Sequence, residues 1–196
     1  MSLRHRIAFL KPRTGAFEST EAFQEHWANQ HGELVMPIKG IVGYRQNRPV
    51  DPDFVWDDVR GFAELFFTDE QGEEAAWREE TAKPLAEDEK FMFDVENGFS
   101  VLVTSVDHAR PGIRGRTRLL VLGGDPNKVP DDWRIGAVDI LHLDGVPQVS
   151  GATDTLLSVF TRGRDVADQV AKAVGGRSVV VECVPMIIPE DASLDD

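Results

Sequence analysis

Two histidines and a tryptophan lie close together near the start of this chain, at His26, Trp27 and His31. An imidazole has an ordinary pKa of about 6.5, so it can donate or accept a proton at neutral pH. The two histidines are five positions apart, which is about 140° around a helix of roughly 3.6 residues per turn. We therefore expect one ring to face a pocket while the other packs or caps the helix end, and this spacing does not predict a metal site.

A phenol and a carboxyl are the next candidates for chemistry. Tyr44 is the only tyrosine of the chain, and its hydroxyl could hold a substrate carbonyl or enolate, or pack in the core with its own hydrogen-bonding partner. Asp94 follows Phe91-Met92-Phe93, and burial beside such residues would raise the pKa of its carboxyl. The alternative for Asp94 is to cap the turn before Asn97-Gly98.

A helix is expected to position the histidines. Ser19 can cap it, and Phe23, Trp27 and Leu34 recur at helical spacing before Pro37 ends it. Short apolar runs predict four strands around it, and a charged helical stretch with a break near Pro84 follows the third strand. The predicted strands cover residues 6–11, 41–48, 60–68 and 99–106, and the charged stretch covers 69–89. The order β-α-β-β-α-β is the ferredoxin-like pattern.

The rest of the chain resembles a shortened copy of this pattern. Strands are predicted at 119–122, 137–143, 154–161 and 179–184, with a helix at 166–174. The first strands of the two copies are 112 positions apart, from Ile7 to Leu119, and the third strands are 93 apart, from Phe67 to Phe160. The difference, 112 − 93 = 19 residues, is about the length of the first helix with its turns. We expect two halves, 1–110 and 117–190, of which only the first carries the histidine helix.

Charge and composition restrict the partners. The chain has a net charge of -13, and residues 51–96 contribute 16 acidic against 4 basic side chains. Such a surface repels phosphate backbones and anionic lipid, so we expect neither a nucleic acid nor a membrane as partner. No apolar run approaches the roughly 20 residues of a membrane helix, and no signal peptide is apparent, which predicts a cytoplasmic location. Cys183 is the only cysteine, and we expect a packed thiol in a strand.

Motifs for common cofactors are absent from the sequence. It contains no Gly-x-Gly-x-x-Gly after a strand, no phosphate-binding Gly-x-x-x-x-Gly-Lys-Ser/Thr loop, no Gly-x-Ser-x-Gly elbow and no cysteine cluster. We therefore expect no nucleotide, flavin or iron-sulfur cofactor.

Several of these features occur together in one known family. They are a strand ending in Lys11-Pro12, a helix with Phe23, His26-Trp27 and His31, strands at 43–47 and 63–67, and the motif Asp88-Glu89-Lys90-Phe91-Met92-Phe93-Asp94. In their order and spacing, residues 4–108 resemble the EthD domain of the dimeric α+β barrel superfamily. In that superfamily two ferredoxin-like units usually pair around a pocket. The resemblance implies an α+β fold in which tandem ferredoxin-like halves form a pseudo-dimeric barrel, as a monomer or a homodimer.

The resemblance also implies a function. Relatives suggest a cofactor-independent enzyme, a lyase, isomerase or oxidoreductase, that acts on a small apolar carbonyl or aromatic compound by dehydration, isomerisation, cyclisation or cofactor-free oxidation. The alternative is a non-enzymatic small-molecule binding or accessory protein of a degradation pathway. The expected catalytic residues are His31 or His26 as acid or base, with Tyr44 and Asp94 orienting the substrate.

Three aromatic side chains are candidates for substrate contacts, although core packing is the commoner role of such residues. These candidates are Trp27, Phe62 and Phe66. His5 and His108 flank the first half and are expected at the surface. Because the histidine helix has no predicted counterpart in the second half, we expect one site per molecule.

Overall fold

The computed structural model describes residues 3–51, 56–149 and 153–187. The first half contains β1 (Arg4–Leu10), α1 (Thr20–His26), a π turn (Trp27–His31), α2 (Gly32–Val35), β2 (Ile41–Pro49), β3 (Gly61–Phe67), α3 (Glu70–Arg78), α4 (Ala82–Met92) and β4 (Phe99–Arg110). The second half contains β5 (Thr117–Leu122), a 3₁₀ turn (Pro126–Lys128), β6 (Ile135–Leu143), β7 (Thr155–Thr161), α5 (Arg164–Val174) and β8 (Arg177–Ile187). The α+β class predicted from the sequence is confirmed.

The eight strands form one closed barrel in the order β1-β3-β2-β8-β5-β7-β6-β4, and every neighbouring pair is antiparallel. The first half supplies β4-β1-β3-β2 and the second half supplies β8-β5-β7-β6. Each half therefore has the same spatial order of its own first to fourth strands. The pairs β2·β8 and β4·β6 join the halves, so no strand edge is left open among the described strands.

Side chains alternate between the inside and the outside of the barrel, as strand geometry requires. In β1, Ile7 and Phe9 point inward and join a cluster of apolar residues from seven strands. Leu10 points outward and packs with the helices that cover the first half. The second half is covered by α5, whose apolar face packs on β5, β6 and β7. The helices of the first half therefore lie outside the barrel, against the outer face of its sheet.

The helix boundaries agree with the predicted caps, with one correction. The side chain of Ser19 accepts a hydrogen bond from the Ala22 N–H (3.2 Å) and begins α1. The predicted break near Pro84 lies earlier, between Arg78 and Ala82. Pro84 is instead in the first turn of α4, where the missing N–H breaks no hydrogen bond within the helix.

The connection between β5 and β6 contains only the 3₁₀ turn, where the first half has the helical stretch from α1 to α2. This agrees with the shortage of residues seen in the sequence. In the described part of the chain, no helix has the length and apolar character needed to cross a membrane.

Candidate active site

His26 and His31 both bind the same carboxylate, that of Asp88 on α4. Nε2 of His26 lies 2.8 Å from Oδ1 of Asp88, and Nδ1 of His31 lies 2.8 Å from Oδ2. The expectation that the two rings diverge was wrong, because Trp27–His31 is a π turn and not regular α-helix. A π turn places one more residue in each hydrogen-bonded ring, so residues five apart become neighbours on one face.

Asp88 fixes both rings in a largely buried position. The exposed fractions of the side chains are 15% for His26, 6% for His31 and 14% for Asp88. Burial raises the pKa of Asp88, but hydrogen bonds from His31 and His26 outweigh it, so the pKa lies below the ordinary 3.8. The carboxylate is therefore ionised at neutral pH and accepts an N–H from each ring. Because Nδ1 of His31 donates to Asp88, its Nε2 is the nitrogen that can accept a proton.

A cleft of about 450 Å³ lies between the outer face of the sheet and helices α3 and α4, and Glu89 is one of its lining residues. We call it the Glu89 cleft. Much of its wall is apolar and comes from Ala8, Leu10, Leu65, Trp77, Phe93 and Phe99. Phe93 also packs against His31, with ring centroids 5.4 Å apart. The cleft and the paired histidines are therefore connected through Phe93 and through the neighbouring residues Asp88 and Glu89.

Glu89 has the electrostatics of a proton-transfer group. Burial raises the pKa of its carboxyl above the ordinary 4.5, the charge of His31 opposes this, and the charge of Asp88 adds to it. A carboxyl with a raised pKa, placed in a cleft, can take up and release a proton closer to neutral pH.

A fixed ion cluster forms one wall of the Glu89 cleft. Glu73 accepts hydrogen bonds from Nε of Arg4 and Nε of Arg6, and it lies on α3 facing β1. Both arginines belong to β1 and are directed toward the helices. Both carboxylate oxygens of Glu73 are engaged by these arginines, so Glu89 is the better candidate for proton exchange.

Tyr44 lies behind the helix and not on the Glu89 cleft. Its hydroxyl accepts hydrogen bonds from Nε1 of Trp27 (3.0 Å) and Nε2 of Gln46 (2.9 Å). The side chain is buried, and burial raises the pKa of the phenol. Trp27 is fully buried in the same layer. Both side chains therefore help to position the helix that carries the histidines.

Asp94 does line the Glu89 cleft, but its expected electrostatics were wrong. Its carboxylate accepts hydrogen bonds from Nδ2 (2.8 Å) and the backbone N–H (3.3 Å) of Asn97. These hydrogen bonds lower the pKa of Asp94 below the ordinary 3.8. The carboxylate is bound to its own turn, so the capping alternative describes its position.

Residues 18–96 match the EthD domain.

The EthD resemblance is thus confirmed for this part of the chain, and the match includes His26, His31, Asp88 and Glu89. A comparison with curated proteins finds no match. Among solved structures, an EthD family protein from Bacillus halodurans C-125 is 21% identical with a TM-score of 0.41, over 54% of this chain and 99% of that chain.

Two further solved structures align with nearly the whole chain. A candidate monooxygenase from Fusobacterium nucleatum is 10% identical, with a TM-score of 0.53 over 99% of this chain and 97% of that chain. A mutant chlorite dismutase from Candidatus Nitrospira defluvii is 8% identical, with a TM-score of 0.52 over 94% of this chain and 91% of that chain. At these identities the likeness establishes the α+β barrel alone.

The remaining aromatic candidates lie inside the barrel, on the other face of the sheet from the EthD helices. Phe62 is buried in the interior apolar cluster, where its ring meets Phe9 edge-on at 5.3 Å. Phe66 stacks on His5 with centroids 4.2 Å apart. The structure therefore does not bring Phe62 and Phe66 together with Trp27.

A buried polar network also lies inside the barrel, and the sequence analysis did not identify it. Arg118 of β5 donates to Glu64 of β3, to Asn47 of β2 (3.1 Å) and to Ser158 of β7 (2.7 Å). Cys183, buried as expected, lies in the same region and has its thiol pKa raised by burial. The signal was present, since Glu64 and Arg118 are lone charges within otherwise apolar strands.

The surface position expected for His5 was wrong, whereas His108 is exposed. His5 has 8% of its surface exposed and points into the barrel, with Nε2 3.0 Å from Oε2 of Glu64. The two atoms are not aligned as a hydrogen bond. Burial lowers the pKa of His5 below 6.5, although Glu64 opposes this. His5 is therefore neutral at neutral pH.

Proposed function

We propose that this protein is an enzyme that transfers a proton on a small, mostly apolar carbonyl or aromatic compound bound in the Glu89 cleft. The observation that carries the proposal is the carboxyl of Glu89, whose pKa is raised by burial in a cleft with aromatic and aliphatic walls. A partly buried base on the wall of such a cleft can reach a carbon acid bound there.

The proposal assigns roles to the neighbouring residues. Glu89 removes the proton, and His31 receives or returns it through Nε2 while Asp88 holds its Nδ1. His26 holds Asp88 from the other side. Asp94, on the rim of the cleft, orients the substrate, and Tyr44 acts indirectly by fixing Trp27. These assignments need no cofactor.

One chemical step is common to the reactions that this site could perform. The base takes a proton from the carbon beside a carbonyl group, and the electron pair moves to the carbonyl oxygen to give an enolate. Return of the proton at another carbon gives isomerisation, loss of a leaving group gives dehydration, and attack on a second carbonyl gives cyclisation. Reaction of the same carbanion with oxygen would start cofactor-free oxidation.

The test uses a probe that reports proton abstraction without knowledge of the natural substrate. Phenylacetone in D₂O gains deuterium next to its carbonyl when a base removes the proton, and NMR measures the rate. Positioned acid–base groups contribute about 10²–10⁴-fold, so we expect Glu89→Gln to slow the catalysed exchange by at least about 100-fold. Glu87→Gln, an exposed change on the same helix, is the matched control and should keep the wild-type rate.

The fold of the Glu89→Gln variant separates catalysis from structure. Removal of a desolvated carboxylate should leave the melting temperature unchanged or raise it, because the buried charge costs free energy. A lower melting temperature with a proportional loss of exchange would give Glu89 a structural role and contradict the proposal. His31→Asn should likewise lose exchange and remain folded.

The second candidate function is small-molecule binding without turnover, as in an accessory protein. One observation favours it: Asp88 engages a nitrogen of each histidine ring. A ring nitrogen bound in this way is not available for proton transfer to a substrate. NMR shifts of residues in the Glu89 cleft would show whether the wild-type protein binds phenylacetone. Binding without any deuterium exchange would support the binding function and reject the enzyme.

A further inference from the structure

A second cleft, of about 510 Å³, lies where the end of β1 meets the start of β3. Three basic side chains line it, and we call it the cation cleft after them: Lys11, Arg13 and Arg60. The chain as a whole has a net charge of -13, so a cleft lined by three basic side chains is a positive region on a negatively charged protein. Such a concentration of positive charge attracts an anion.

The backbone brings these three residues together. Leu10 pairs with Gly61 in the sheet, and the N–H of Arg60 donates to the carbonyl of Leu10 (2.8 Å). Lys11 and Arg60 therefore leave the sheet side by side. Arg13 is held by its N–H bond to the carbonyl of Met92 (2.8 Å) and by Nη1 on the carbonyl of Lys90 (3.2 Å).

The three cations form no close ion pair in the described residues, although the charge of Lys11 contributes to the lowered pKa of Asp94. In the described ranges 3–51, 56–149 and 153–187, no ion pair includes Lys11, Arg13 or Arg60. Two carboxylates also line the cleft, Asp58 and Asp94, and that of Asp94 accepts hydrogen bonds from Asn97. The formal charge of the lining is +3 − 2 = +1, which balances a single negative charge.

The cleft also has an aromatic wall. Phe17 and Phe23 line it, with ring centroids 5.5 Å apart in an edge-on arrangement. An anion attached to an apolar or aromatic body would therefore contact both the cations and these rings.

We propose that the cation cleft is a binding site for a small aromatic carboxylate, with Arg60, Arg13 and Lys11 around the carboxylate and Phe17 and Phe23 against its ring. Guanidinium groups match the two oxygens of a carboxylate, and the single net charge favours a carboxylate over a doubly charged phosphate. The site adjoins the Glu89 cleft, because Lys11 and Asp94 line both clefts. The backbone of Pro12 pairs with that of Phe93 in an isolated antiparallel β-bridge, and the Asp94 N–H donates to the Lys11 carbonyl (2.9 Å).

The experiment measures benzoate binding by titration calorimetry at low ionic strength. Hydrogen bonds to charged groups are worth enough for about a tenfold change in affinity, so Arg60→Gln should weaken benzoate binding by about tenfold or more. Arg164→Gln removes the same charge from the exposed start of α5 and should change the affinity less than about twofold. Arg13→Gln, at an exposed position, is a second variant whose fold does not depend on the pairing of β1 with β3.

Other probes decide the ligand class. Benzyl alcohol should bind at least about tenfold more weakly than benzoate if the cations hold the ligand. Equal binding of the alcohol, tighter binding of phenyl phosphate, or equal losses in Arg60→Gln and Arg164→Gln would overturn the proposal. The Glu89→Gln variant should bind benzoate with the affinity of the wild type, even though it loses proton exchange. The two proposals can therefore fail independently. Loss of benzoate binding in Glu89→Gln would instead show that benzoate binds in the Glu89 cleft, and would contradict a second site.

Discussion

Glu64 and Arg118 are charged residues placed inside a barrel that is otherwise mostly apolar. Both are almost fully buried. Burial of an apolar residue at either position would avoid the free-energy cost of removing a charge from water. Burial raises the pKa of Glu64, but the charge of Arg118 and the contact with His5 bring it well below 4.5. The pair is therefore ionised, and each charge depends on the other because the free energy of an unpaired buried ion is high.

Removal of one partner should reveal this dependence. Arg118→Met leaves the Glu64 carboxylate buried without its cation, and we expect the free energy of unfolding to fall by about 3–5 kcal/mol. The double change Glu64→Met with Arg118→Met removes both charges and should recover more than half of that loss. Urea unfolding at neutral pH measures all three proteins. A double variant no more stable than Arg118→Met would show that the pair is not the cause.

The pH dependence of the free energy of unfolding provides a second test of the Glu64–Arg118 pair. Because the folded pKa of Glu64 is depressed, its stabilising contribution is complete above 4.5 and is lost as the pH falls through the folded pKa. His5 acts in the same direction, since its folded pKa lies below 6.5 and protonation favours the unfolded chain as the pH falls below that value. The double variant should keep only the His5 part of this acid sensitivity.

The partners of individual residues were the least predictable part of the site. The helix with His26 and His31 was expected, but Asp88 is 57 positions from His31, and only the packing of α4 against the π turn brings them together. Asp88 and Glu89 were recognised in the sequence as part of a motif, without roles. Asp94 was selected because of its apolar neighbours in the chain, but in the fold its carboxylate binds Asn97.

Among the elements, the π turn is the one that periodicity could not predict. Phe23, Trp27 and Leu34 recur at a spacing that predicts a helix but does not distinguish an α-helical turn from a π turn. The strands were predictable because their apolar runs are short and end at turn residues. The observed strand ends differ from the predicted ones by a few residues. β4, for example, runs to Arg110 because its pairing with β6 extends to Arg110 and Val138.

A deletion tests how the π turn places His31. Without Gln30, an exposed residue, the stretch can form regular α-helix in which His26 and His31 are four apart and share a face. We expect both rings to remain bound to Asp88, and the melting temperature to stay the same or rise. Nitrogen chemical shifts of the two imidazoles measure the contacts.

An insertion is the control for that deletion. One extra alanine after Gln30 separates the histidines by six positions and should release one ring from Asp88. Retention of both contacts in the insertion variant, or their loss in the deletion variant, would show that the π turn does not set the position of His31.

In the whole molecule, the two halves contribute equally to the barrel but differ in what covers them. We propose 1–110 and 117–190 as the two units, since β4 ends at Arg110 and β5 begins at Thr117. The first unit carries the helices of the candidate site, and the second has only the 3₁₀ turn in the equivalent connection. This asymmetry supports one site per chain.

The first half by itself should associate with a second copy. A fragment of residues 1–110 would expose the edges of β2 and β4 and the apolar inner face with Ile7, Phe9 and Phe62. We expect sedimentation to give twice the mass of the fragment, whereas the full chain should sediment as a 21.8 kDa monomer. Coexpression with residues 111–196 should restore a one-to-one complex. A monomeric, folded fragment would contradict the proposed division.

The closure of the barrel within a single chain also sets how the protein responds to dilution. A barrel made from two separate chains loses its site when the concentration falls below the dissociation constant of the pair. Here the peptide between β4 and β5 keeps the halves at a high effective concentration, of the order of millimolar for short linkers. The rate of the proposed proton exchange per molecule should therefore be independent of protein concentration, even in highly dilute assays.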